Sequence, residues 1–320
     1  MDYLKEKYID LHLHLDGSLS PEFIIRRAKK EGISLPSFQV EELLPHLRAT
    51  KKVKDLNDYL KCFRIPGLVL QSERGLIEGV LDVAHELALA NVFYAELRYA
   101  PQKHLEKGLS QEAVIRAVIK GIKLAEEETS IKLTSILCCM RGASYEENME
   151  TLRLASKFMG KGVVAIDLAG AEALYPNELY ETLFKYAYEM DVPYIIHAGE
   201  ALGPDSVKTA IEYGARRIGH GVHAVFSEEV MTTLKNTGIP LELCLSSNLQ
   251  TGAIQNIEDF PLRTFLQKGL VTTINTDNMT VSNTNIEKEF ELLKSDYGLT
   301  KEEELILKQN AIKAAFTKLI

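Results

Sequence analysis

The sequence predicts an α/β protein, a (β/α)8 barrel spanning residues 1–320 as a single domain, with extra helices after the first strand. Three observations predict it. Short runs dense in Val, Ile, Leu and Ala alternate with amphipathic stretches, at about 20 to 40 residues per unit. No Ser/Gly/Pro-rich linker, low-complexity tract or exact repeat divides the chain. Unusual polar residues gather at the C-terminal ends of the apolar runs, where barrels build their active sites.

In chain order, the strands are expected at residues 8–15, 92–101, 132–140, 163–170, 193–200, 215–221, 240–248 and 270–278. Helices are expected at 77–90, 111–128, 145–159, 177–190, 205–213, 227–237 and 261–268, with a closing helix at 301–319. Residues 21–79 form a helical excursion between the first two strands. Within it Leu56, Tyr59, Leu60 and Phe63 recur at i, i+3, i+4 and i+7, one apolar stripe on a helix. Such a stripe either packs on the barrel or, from this first βα excursion, forms a hydrophobic lid over its mouth.

Hydrophobic residues make up 46% of the chain and charged residues 26%, which excludes a wholly disordered or collagen-like protein. Lys and Arg number 37 against 45 Asp and Glu, a net charge of −8 that argues against a nucleic-acid partner. The N-terminal stretch from Met1 to Lys7 lacks the apolar run of a signal peptide, and no run of about 18 apolar residues occurs. A cytoplasmic protein with no membrane partner is therefore expected. Cys62, Cys138, Cys139 and Cys244 are too few and scattered for a disulfide framework or a CxxC zinc site, and read as reduced core residues.

The polar residues carry the chemistry. His12 and His14 end the first strand, and side-chain alternation turns both to the same face. Alone, an HxH pair is weak, since chance supplies one in roughly a fifth of such chains. The signal sharpens at the fifth strand, which ends in His197 and Glu200, at the sixth, which ends in His220, and at the eighth, which ends in Asp277 and Asn278. Three imidazoles and a carboxylate, His12, His14, His197 and Asp277, suit one Zn²⁺ per chain with a position left for water, and Fe, Co or Mn would also be accepted. His46, His85, His104 and His223 read as surface or structural residues. Glu96 and Arg98 share a face of the second strand and read as an internal charge pair. No Arg or Lys cluster is evident near the strand ends, which argues against phosphoester hydrolysis.

Seven segments together, HLHLDGS (12–18), AELRYAP (95–101), IDLAG (166–170), HAGE (197–200), IGHG (218–221), SSN (246–248) and NTD (275–277), resemble the adenosine deaminase family of the metal-dependent amidohydrolase superfamily. The resemblance runs in order through nearly the whole chain. It implies a zinc-dependent barrel converting adenosine, and 2′-deoxyadenosine, to inosine and ammonia. By that likeness His12, His14, His197 and Asp277 hold the metal, with His14 also near the substrate. Glu200, His220 and Asp277 act on the substrate, Asp16 holds the ribose 5′-hydroxyl and the Gly170 backbone meets ring N3. The stripe of Leu56, Tyr59, Leu60 and Phe63 coincides with the family's lid.

The residue types suit the reaction. Water must attack C6 of an aromatic ring, so its pKa must fall and a base must take its proton, a role assigned to His220 with Asp277 sharing it. N1 must gain a proton, and Glu200 can give one if burial raises its pKa. The unrelated HxE and PCxxC zinc signature of cytidine-type deaminases is absent. Asn278 stands where most compared members carry an Asp contacting purine N7. An Asn amide donates at any pH whereas an Asp must be protonated, so purine binding with altered pH dependence or affinity is expected. Relatives act on free adenine, adenine nucleotides or N6-methylated AMP. Asp16 disfavours a 5′-phosphate by repulsion, leaving adenine deamination as one alternative and a catalytically silent nucleoside-binding barrel as another. The partner expected is a small purine nucleoside.

Overall fold

The computed structural model describes residues 7–49 and 55–319. The charged segment 1–6, residues 50–54 of the expected excursion, and residue 320 lie outside the described residues. One parallel sheet runs in chain order: β1 (Tyr8–His14), β2 (Val92–Tyr99), β3 (Lys132–Met140), β4 (Val163–Ala169), β5 (Tyr194–Ala198), β6 (Arg217–His220), β7 (Leu241–Leu243) and β8 (Thr272–Ile274). The edges meet through a bridge between Leu13 and Asp277, where the His14 N–H donates to the Asp277 carbonyl and the Asp277 N–H to that of His12, each at 2.8 Å. The barrel thus closes at the C-terminal end of β1, as a (β/α)8 architecture requires.

After β1 come α1 (Pro21–Glu31), α2 (Val40–Leu47), α3 (Leu56–Leu60), a 3₁₀ turn (Lys61–Phe63) and α4 (Arg64–Val69), before α5 (Glu73–Leu89) returns the chain to β2. The remaining helices are α6 (Gln111–Thr129), α7 (Tyr145–Phe158), α8 (Glu181–Glu189), α9 (Pro204–Glu212), α10 (Glu228–Thr237), α11 (Leu245–Gln250), α12 (Leu262–Lys268), α13 (Ile286–Leu292) and α14 (Lys301–Ala314). Several helices start where the sequence supplies a cap. Ser72, Ser110 and Ser227 each accept a backbone N–H three residues on, and Ser144 with Glu147 and Thr300 with Glu303 close capping boxes. No helix among the described residues is long and apolar enough to cross a membrane.

Several boundaries differ from the sequence reading. The strand expected at 240–248 stops at Leu243, and α11 follows. Its neighbour β6 has already ended at His220, so the chain lacks a ladder to follow and the Asn248 N–H bonds the Cys244 carbonyl at 2.9 Å instead. The strand expected at 270–278 likewise stops at Ile274, and Asp277 takes a left-handed φ of 60°. The closing helix ends at Ala314 because the Phe316 N–H is drawn 2.8 Å from Glu96 Oε1 at the barrel floor.

Apolar side chains fill the layer between sheet and helices, while the barrel interior below the site is ionic. Arg98 Nη1 lies 2.8 Å from Asp167 and its Nη2 2.9 Å from Glu242, and Arg217 bridges Glu242, at 2.5 Å, and Glu96. Glu96 and Arg98 therefore do not pair with each other as expected. Both point inward, but two residues along a strand are separated by roughly 6.6 Å, and each finds a nearer partner on another strand. The four cysteines are free thiols, with Cys138, Cys139 and Cys244 buried.

Candidate active site

Four imidazoles converge where the barrel closes. The His12 ring centroid lies 4.6 Å from that of His197, 4.9 Å from His220 and 5.4 Å from His14. Asp277 Oδ1 stands 3.4 Å from His14 Nε2 and 3.5 Å from His12 Nε2. Two triads of ligand atoms, His12 with His197 and His220, and His12 with His14 and Asp277, each fall within 4.8 Å. Strand geometry explains the convergence, since these side chains leave the upper ends of β1, β5, β6 and β8 toward one axis.

Carboxylates hold the imidazoles from behind. His12 Nδ1 lies 2.8 Å from Glu242 and His197 Nδ1 3.0 Å from Asp167. Each carboxylate anchors Nδ1–H and turns an Nε2 lone pair toward the cluster, the arrangement that orients histidine for a metal. His12 Nε2 is buried without a hydrogen-bond partner among the described residues, which fits a donor waiting for a cation. Burial and Arg98 oppose charge on His12, but the nearby carboxylates of Asp277 and Glu242 raise its pKa. Burial lowers His14, His197 and His220, favouring the neutral, ligating form. Asp277 is opposed by burial yet held well below the carboxylate range by His12, His14 and His220. The donor set fits a divalent metal.

Above the cluster a cavity of about 490 Å³ opens, within the ~300–1,000 Å³ of small-molecule sites. His14, Asp16, Gly170, His197, Glu200, His220, Asp277 and Asn278 line it, and Leu56, Tyr59, Leu60 and Phe63 cover one side. His12 alone of the expected set lies beneath its wall rather than in it. Burial, with the charges of Asp277 and Glu172, pushes Glu200 up to about 8. Its carboxyl lies 3.6 Å from His220 Nε2. Burial pushes Asp16 up to about 6. Gly170 needs its missing side chain, because its φ of +108° is one that L residues rarely adopt. His220 and Asp277 hold a left-handed φ of 60°, backbone strain of the kind that persists at functional sites.

Several contributors escaped the sequence reading. Glu172 accepts N–H bonds from Gly199, Glu200, Ala201 and Leu202 at 2.6–3.1 Å and so builds the loop that carries Glu200. Asn248 lies 3.0 Å from His220 Nδ1 and governs which ring nitrogen carries the proton. Glu242 and Asp167 act from the barrel interior. A lone acid or amide carries no spacing signal, and only the motif SSN hinted at Asn248.

Some expectations need correcting. His104 is 1% exposed and lines the cavity, because the turn after β2 folds inward. Cys138 lines it too, as an inward residue near the top of β3. Arg141, one residue past β3, and Lys103 and Arg64 at the rim bring cations to the strand ends after all. Arg141 is engaged by the Tyr175 carbonyl at 2.5 Å, Asn177 at 2.7 Å and the His197 carbonyl at 2.6 Å, so it braces the wall. His223 bridges the Leu202 and Ala253 carbonyls, a structural role as expected.

Comparison with known proteins adds an independent finding. A family model described as adenosine deaminase matches residues 8–319. An adenosine deaminase of Haemophilus ducreyi is 46% identical over 313 residues, covering 96% of this chain and 91% of its own. One from Clostridium botulinum is 43% identical over 318 residues, covering 99% and 95%. The crystal structure of an adenine deaminase from Arthrobacter aurescens superposes with a TM-score of 0.89 at 27% identity, covering 98% of this chain and 94% of that one.

Proposed function

This chain belongs to the adenosine deaminase family, and from that premise we propose that it hydrolyses adenosine, and 2′-deoxyadenosine, to inosine and ammonia. The observation that carries the proposal is a buried carboxyl, Glu200, pushed up to about 8 in the wall of a nucleoside-sized cavity beside four converging imidazoles. A binding protein needs no proton donor there. Adenine deamination is the weaker reading, since the adenosine deaminases compared are 43–46% identical and the adenine deaminase 27%.

His12, His14, His197 and Asp277 would hold one Zn²⁺. When bound, such a metal supplies Lewis acidity that brings the pKa of water toward neutrality. His220, oriented by Asn248, and Asp277 receive the proton of the water that adds to C6. Glu200, protonated at neutral pH, gives its proton to N1, so that ring aromaticity is broken without a buildup of charge. The proton held by His220 and Asp277 passes to the amino group, which leaves as ammonia, while the C6 hydroxyl proton returns to Glu200, so that N1–H and a C6 carbonyl remain and both protein groups are restored. Asp16 accepts from the ribose 5′-hydroxyl, the Gly170 backbone faces N3 and Asn278 donates to N7. The excursion 21–79 acts as a lid on a single domain, its apolar stripe keeping bulk water from the ring.

Ultraviolet monitoring of the zinc-loaded protein with adenosine, adenine and AMP, with His197→Ala as control, tests the proposal. Loss of the adenosine spectrum alone is expected. Turnover of adenine alone would move the function to the free base, and silence with all three would leave a binding protein.

A further inference from the structure

A chain of polar contacts joins the lid to the loop after β8. Tyr59, on α3, is 2% exposed; its hydroxyl lies 2.7 Å from Ser282 Oγ and accepts from Asn278 Nδ2 at 3.0 Å. With Ser282 taking the phenol proton, the phenol oxygen is left as an acceptor. The amide nitrogen has two N–H groups, of which Tyr59 takes one. On the other side, Asn278 Oδ1 is buried without a partner among the described residues and packs over Gly17, where a Cβ would sit 1.8 Å away. With its proton held by Ser282, the phenol favours the N–H end of this amide.

We infer that Tyr59 is a positioning residue, which with the lid seated holds the Asn278 amide so that its second N–H points at an acceptor on the five-membered ring of a purine. The inference rests on the proposed function, in which N7 is that acceptor. Recognition of N7 is then coupled to the lid. An open lid removes the phenol, and the amide loses its fixed direction.

Inosine and 7-deazainosine differ in that acceptor and carry no amino group to remove. Tyr59→Phe is expected to weaken inosine binding about fivefold, the worth of one hydrogen bond, and to raise the adenosine KM similarly while kcat changes less. Binding of 7-deazainosine stays as in the wild type, which also shows that the variant is folded. In an Asn278→Ala background Tyr59→Phe has no further effect on the inosine preference. Equal weakening of both ligands, or of neither, overturns the inference and reduces Tyr59 to lid packing. A wild type that neither binds inosine nor deaminates adenosine would instead overturn the proposed function, and the inference with it.

Discussion

Glu200 carries a pH signature in both activity and stability. Its folded value of about 8 exceeds the 4.5 of a free glutamate because burial disfavours its charge. As an acid it works protonated, so kcat/KM is expected to fall as the pH rises through about 8. The folded chain holds this proton more tightly than the unfolded chain. The resulting stability is full below pH 4.5 and lost as the pH rises through about 8. Glu200→Gln should therefore lose at least ~10²-fold in kcat, yet melt higher than the wild type near pH 9 and alike at pH 4, both in metal-free protein. A lower melting point near pH 9 would contradict the assignment. The histidines, Asp277 and Glu200 were legible because rare residue types ended apolar runs. His104 was not, because a histidine in a turn shows no sign of whether that turn folds inward.

The elements that matter most are loops. The segment after β5 owes its shape to Glu172, whose carboxylate collects four backbone N–H groups and whose charge helps raise Glu200. Glu172→Gln keeps one carbonyl acceptor and removes the charge. It is expected to cost about 1–3 kcal/mol in urea unfolding and to move the alkaline limb of activity to lower pH. An unmoved limb would mean that burial and Asp277 set Glu200 without Glu172. Strands β1 to β4 were readable nearly to their ends, whereas β7 and β8 are only Leu241–Leu243 and Thr272–Ile274. The apolar run of β7 continues past the ladder through Cys244 and Leu245, while β8 gives way at once to the polar residues 275–278, and periodicity does not record where a neighbouring strand stops.

At the scale of the molecule, the ionic barrel interior supports the site from below. Glu242 meets Arg98, Arg217 and His12 at once. Burial opposes its ionisation, but the two arginines hold it well below the carboxylate range. Its contribution is therefore present above the free value of 4.5 and lost only as the pH falls through the depressed one. Glu242→Gln is expected to destabilise the chain by about 1–3 kcal/mol, because Arg98 and Arg217 each lose one of two carboxylate partners and keep only Asp167 and Glu96. It should also weaken metal binding ~10–100-fold by freeing the His12 ring, as read by chelator competition. Unchanged metal affinity would remove Glu242 from the site. By itself, the sequence determined the order of the eight strands and the identity of the histidines and acids at the barrel mouth, because strand period and the shared direction of parallel strands convert position along the chain into position at one end. Only the tertiary structure decided which carboxylate backs which imidazole, that Glu96 and Arg98 part company, and that Tyr59 reaches Asn278. Those contacts cross the barrel or its mouth between residues as many as 230 positions apart, and no local pattern encodes such a pairing.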